Sequence, residues 1–191
     1  MGLFTWLKRS GSGADQRIQE WRREWMRAVE AVDAGAFPRL RAALQAQPPL
    51  AADLELEQEM LDGLERLIVL TDELKTGLPR LETTHRVVGA DACHFSAPVS
   101  MPDDPGQASG RLLLTSRRAV FIGGAKLTSI AWHAAGQALL ADRDVVIVRV
   151  DGQSAHRFCC NSYADALSAA AIARQLIRIA RDGRARRAPD L

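Results

Sequence analysis

The chain contains only three cysteines, Cys93, Cys159 and Cys160, an odd number with two of them adjacent. Such usage argues against the disulfide framework of a small secreted protein, so the expected location is cytoplasmic. Lysine is equally scarce: three lysines stand beside 22 arginines, the bias of a GC-rich bacterial coding sequence. Net charge is only +2, which provides no global basis for binding nucleic acid. No apolar run reaches the roughly 18 residues that a membrane span requires. The first residues lack a secretory layout, because Lys8 and Arg9 follow a short apolar stretch rather than precede it. Trp6 stands where a myristoylation pattern needs Ser or Thr.

Catalytic signatures are missing as well. There is no Gly-x-Ser-x-Gly elbow, no His-Glu-x-x-His and no Gly-x-x-x-x-Gly-Lys-Ser/Thr phosphate loop. His156 and Cys159 have the spacing of half a zinc site, but no matching pair follows. On a strand, residues three apart face opposite sides, and so do the neighbours Cys93 and His94. The expectation is therefore no enzyme, no cofactor and no metal. The acidic pair Asp103 and Asp104, like Asp151, falls in a turn signal, where Asp serves backbone geometry.

What is present is the material of a folded chain, 47% hydrophobic and 25% charged. The first part is helical. Residues 9–15 read as a flexible joint, and Asp15 can cap a helix over 16–34. Ile18, Trp21, Trp25, Val29 and Val32 form its apolar stripe. Gly35 is read as its stop; a second helix follows over 37–46 and a third over 53–75, opened by Asp53. Near residue 83 the period changes from 3.6 to 2, with turn signals at intervals of roughly 8–12 residues. Candidate strands are 84–89, 92–101, 110–115, 118–123, 126–132, 136–141, 144–150 and 154–160. A last amphipathic helix is expected over 163–182, capped by Asn161 or Ser162 and stopped by Gly183. The expected organisation is a flexible segment 1–13, a helical unit 14–79, a barrel with its helix over 83–182, and a basic tail 183–191.

Strands followed by one amphipathic helix suggest an α+β chain whose antiparallel barrel is partly open, with the helix as its stopper. Residues 110–123 open on Gly110, continue through an apolar strand ending in Thr115, pass the basic turn Arg117-Arg118 and end in an apolar-aromatic strand. That run resembles the second and third strands of PH-like domains of the GRAM type. Ser129, Ile130, Ala131 and Trp132 are similar to the next strand of that family. The resemblance covers about half the chain and implies a module that binds lipids, peptides or proteins.

Phosphoinositide-binding members place Lys and Arg in the first hairpin loop, whereas here that loop carries Asp103 and Asp104. Protein binding is therefore the leading expectation, with Ile18, Trp21 and Trp25 as candidate interface anchors for a partner or a second copy. A peripheral membrane module at the inner face is the alternative. It would use the barrel together with Leu3, Phe4, Trp6, Leu7, Lys8 and Arg9, which are candidate contacts for a bilayer surface or a partner. Arg111, Arg117 and Arg118 are candidate anion contacts. Arg174, Arg178, Arg181, Arg184, Arg186 and Arg187 lack interleaved aromatics and lie near a helix C-terminus, which favours a solvated basic end over nucleic-acid binding.

Overall fold

A computed structural model describes residues 13–46, 54–124 and 126–185. Three helices come first: α1 (Gly13–Ala31), α2 (Ala36–Gln45) and α3 (Glu55–Thr76). Seven strands follow: β1 (Cys93–Ser100), β2 (Ser109–Thr115), β3 (Arg118–Gly123), β4 (Lys126–Ala131), β5 (Ala135–Ala141), β6 (Asp144–Arg149) and β7 (Ala155–Cys160). Helix α4 (Tyr163–Ala185) closes the described chain, giving an α+β arrangement.

All seven strands form one antiparallel sheet in the order β4-β3-β2-β1-β7-β6-β5. If it were flat, its two edges would lie about 29 Å apart, at ~4.8 Å per strand. Yet β4 and β5 are joined by the single 3₁₀ turn Trp132–Ala134, so the four steps from Ala131 to Ala135 span at most about 14 Å. The sheet must therefore curl until its edges nearly meet at that corner. It stays unclosed, because β4 and β5 do not pair.

Alternation on the strands supplies the inside. Leu112, Leu114, Phe121, Val145, Ile147 and Phe158 are buried in one cluster with Trp132, whose indole N–H donates to the Thr115 carbonyl at 2.7 Å. Helix α4 enters this cluster with Ala166, Ala169, Ala170 and Ala173, small side chains that let its backbone lie close to the sheet. Ser162 Oγ accepts from the Asp165 N–H at 3.1 Å and caps α4 as anticipated. Gly183 does not stop the helix, which runs to Ala185.

Two further sequence expectations are corrected. The expected first strand, 84–89, is a 3₁₀ turn at Arg86–Val88, ended by Gly89 at φ 61°. Its Val88 packs on the outer face of the sheet against Cys93, Leu113 and Val120, so an apolar pattern meant for covering was mistaken for pairing. Helix α1 begins at Gly13 and ends at Ala31, so Asp15 lies within its first turn. Val32, at φ 49°, leaves the helical region. Asp53 lies outside the described residues.

The N-terminal helices have their own cluster: Trp21, Trp25, Leu40, Leu44, Met60, Leu61, Leu64 and Leu67. Tyr163 and Leu167 of α4 belong to it too, so α4 is shared between the helices and the sheet. At Gly63 an added Cβ would come within 3.1 Å of both the Leu167 and Tyr163 side chains; its absence lets α3 approach α4 closely.

Candidate functional site

A concavity of about 750 Å³ lies where α1, the start of α3, β5 with the β5–β6 turn, and α4 come together. Two half-exposed apolar side chains line it from different elements: Met26 of α1 (53% exposed) and Leu139 of β5 (42%). Val29, Leu56, Met60 and Leu140 continue the apolar lining. Large apolar groups left in contact with water in one concave place mark a binding surface more than scattered ones do.

Tyr163 organises the floor. Its ring packs edge-on against Trp25, with centroids 5.2 Å apart, and Arg143 lies 5.6 Å above it. Its hydroxyl donates to Asp142, and its backbone N–H donates to Glu59 Oε1 at 2.8 Å. That last bond places a carboxylate of α3 at the N-terminus of α4, where the exposed N–H groups favour negative charge. Burial, and then the Asp142 carboxylate, push the Tyr163 phenol well above its ordinary range, so it remains a neutral donor. Asp142 adopts φ 58°, a left-handed turn conformation that Asp tolerates better than most residues.

Arginines form the rim. Arg22 reaches Glu57 at 2.5 Å, and Glu57 is only 1% exposed, so this side of α1 is fixed to α3. Arg143 lies 3.9 Å from Glu59. Arg174 Nε donates to the Ala138 carbonyl at 2.9 Å, and Arg181 donates to the Gly136 carbonyl. Both therefore cap the outer edge of β5, which would otherwise offer free carbonyls to another strand. Arg22, Arg23, Arg143 and Arg174 balance Glu30, Asp142, Glu57 and Glu59, so the groove and its ion-pair partners are neutral in sum. Shape and apolar surface, rather than net charge, set what fits.

The residues singled out from sequence fall elsewhere. Ile18, Trp21 and Trp25 are at most 9% exposed. The indoles donate to the Leu40 carbonyl (2.8 Å) and the Met60 carbonyl (2.7 Å), so the tryptophans are core supports instead of an open interface. The stripe of Ile18, Trp21 and Trp25 is present on α1, but the tryptophans pack against α2, α3 and Tyr163 of α4 within the chain. Trp25 alone still borders the groove. Arg117 and Arg118 sit together in the β2–β3 turn, both beside Asp91 at 3.2 and 3.9 Å. Arg111 lies four residues before the end of β2 at Thr115, about 13 Å at strand rise, and donates to Ser96 Oγ. The three arginines do not converge on one anion. Leu3, Phe4, Trp6, Leu7, Lys8 and Arg9 lie outside the described residues, as do Arg186 and Arg187.

The β1–β2 loop places its acids in ion pairs: Asp104 with Lys126, and Asp103 with Arg157 at 3.9 Å. The Lys126 ammonium holds the Asp104 carboxyl below its ordinary value. His94 Nδ1 donates to the Pro79 carbonyl at 2.6 Å, while its buried Nε2 has no partner. No three His, Cys, Asp or Glu side chains gather as metal ligands among the described residues. Nor is any helix among them long and apolar enough to cross a membrane.

The sequence reading missed the groove. A faint signal existed in Leu139 and Leu140: two adjacent leucines on a strand cannot both face the core.

No protein-family model matches the chain, and no curated protein does. Solved structures overlap it at low identity. The C-terminal domain of an unknown protein from Leishmania infantum is 11% identical, with a TM-score of 0.41 over 48% of this chain and 89% of that one. The Inner Membrane Complex Sub-compartment Protein 3 from Toxoplasma gondii is also 11% identical, with a TM-score of 0.37 over 45% and 77%. The DH/PH domains of p115-RhoGEF are 9% identical, with a TM-score of 0.42 over 78% of this chain; the chain spans 55% of that structure.

Proposed function

We propose that this chain is a non-enzymatic interaction module with a PH-like sheet, and that it binds a protein partner through the groove between α1 and β5. The observation that carries this reading is the pair Met26 and Leu139, both exposed to water across a concavity of about 750 Å³. The ligand chemistry that fits is an amphipathic segment: apolar side chains enter, and polar ones meet the arginine rim. In this reading residues 14–79 are a helical unit forming one wall. Residues 83–182 form the other, with the strand order and stoppering helix that the GRAM-type resemblance of residues 110–123 implies. A second copy of the chain is one partner of that chemistry.

The peripheral-membrane alternative relies on residues 3–9 and on three arginines that do not meet, so it ranks second. Capture from the native cell tests the main reading. Proteins retained by the wild-type chain are expected to be lost with Met26→Glu and with Leu139→Glu, while Leu127→Glu on β4 keeps them. Retention indifferent to the groove variants, or pelleting with anionic vesicles that needs residues 1–12, would overturn it.

A further inference from the structure

Resting on that reading, we propose that the groove receives α1 of a second copy, so that two chains pair through antiparallel α1 helices. The occupant is a helix because the route for a strand is obstructed. On the outer edge of β5 the Ala138 and Gly136 carbonyls are already taken by Arg174 and Arg181, so an extended segment finds those acceptors occupied. A helix satisfies its own backbone and docks by side chains alone. The groove runs along α1 from Gln19 to Glu30, about 17 Å or three turns at helical rise, which suits a helix laid beside it.

Charge and spacing select a second copy. Gln19, Arg22, Arg23, Met26, Val29 and Glu30 line the groove and so share one face of α1. Arg22 is committed to Glu57. Arg23 and Glu30 are exposed, and neither has an ion-pair partner among the described residues. They carry opposite charges about 10 Å apart, two helical turns, with Met26 between them. A twofold axis beside Met26 therefore brings Arg23 of each copy against Glu30 of the partner subunit, twice over, and lays the two Met26 side chains together. Parallel helices would instead set arginine against arginine and glutamate against glutamate. Gln19 and Val29 are uncharged, so the antiparallel pair opposes no like charges on this face. Helix α1 is also a ridge beside a groove. Under the same twofold each ridge enters the other's groove and covers the exposed Met26 and Leu139.

The test is sedimentation equilibrium of the full chain from micromolar to millimolar concentration, where the wild type is expected to dimerise. Arg23→Glu and Glu30→Arg each turn both attractive pairs repulsive, and each should weaken self-association at least about tenfold. An equimolar mixture of the two single variants should dimerise again, because every pair across that interface is once more of opposite sign. The double variant Arg23→Glu with Glu30→Arg should dimerise by itself for the same reason. Both positions are exposed, so circular dichroism and Tm should stay those of the wild type. A wild type that is monomeric throughout the range overturns the inference. So does a dimer indifferent to the single variants, or single variants whose mixture stays monomeric. If the chain is monomeric while captured proteins are lost with Met26→Glu and Leu139→Glu, the interaction reading stands and this inference falls. A dimer that obeys the charge swaps but survives Leu139→Glu pairs through α1 without the groove, which keeps the helix pairing and sinks the groove reading.

Discussion

Replacing Arg22 by Ala removes the guanidinium that meets Glu57 at 2.5 Å, at the wall of the groove. The Glu57 side chain is 2% exposed, and that of Arg22 is 36% exposed. Leaving one member of a buried pair without its partner costs about 3–5 kcal/mol. Water reaches the Arg22 end, which screens the pair and brings the expected loss to about 2–3 kcal/mol. In a chain of this size that corresponds to a fall in Tm of roughly 5–10 °C. Urea denaturation followed by circular dichroism measures it. The double variant Arg22→Met with Glu57→Leu should regain most of the loss, because it removes the buried charge along with its partner. Lys75→Ala is the control: Lys75 and Asp72 are both 70% exposed, and the change should stay within about 0.5 kcal/mol. A loss below about 0.5 kcal/mol for Arg22→Ala would refute the claim that this pair fixes α1 to α3.

Gly110→Ala should destabilise the chain by about 3 kcal/mol in the same assay, because the new Cβ would lie 2.1 Å from the Ile122 carbonyl oxygen. Burial pushes the Cys160 thiol up to about 12 and also raises Cys93. Iodoacetamide at neutral pH should therefore leave both unlabelled in the folded chain and label them once urea unfolds it, as read by peptide mass spectrometry. Burial, then Arg149 and Lys126, lower the pKa of His156, so below about 6.5 the unfolded chain takes up a proton that the folded chain resists. Stability should rise with pH through that window, and His156→Asn should flatten the slope. Asp104, lowered by Lys126, stabilises the fold above its ordinary value of 3.8 and loses that contribution as pH falls through its folded pKa. An NMR titration should place its midpoint below 3.8, and Lys126→Ala should raise it.

The strands were legible because alternation is a local property: Leu112 and Leu114 face inward while Leu113 faces the other way, as period 2 requires. Gly110 in the quoted run also has a local cause, the close approach of β2 and β3. The turn at Arg86–Val88 was misread because an apolar residue that covers a sheet looks like one that pairs within it. Trp21 and Trp25 show the opposite limit. Their stripe was plain, but whether large aromatics face a partner or their own chain depends on how much apolar surface α2 and α3 return to them. The groove was invisible for a related reason. Met26, Leu139 and Tyr163 are far apart in sequence, and only the packing of α1 beside the β5–β6 turn brings them together.

The most direct measurement places a photo-crosslinking p-benzoylphenylalanine at position 139 in the native cell, with position 127 on the exposed outer face of β4 as the comparison. Covalent adducts at 139, absent at 127 and suppressed by Met26→Glu, are the predicted outcome. Equal adducts at both positions, or adducts at 139 that persist with Met26→Glu, would contradict the assignment of the groove as the binding surface.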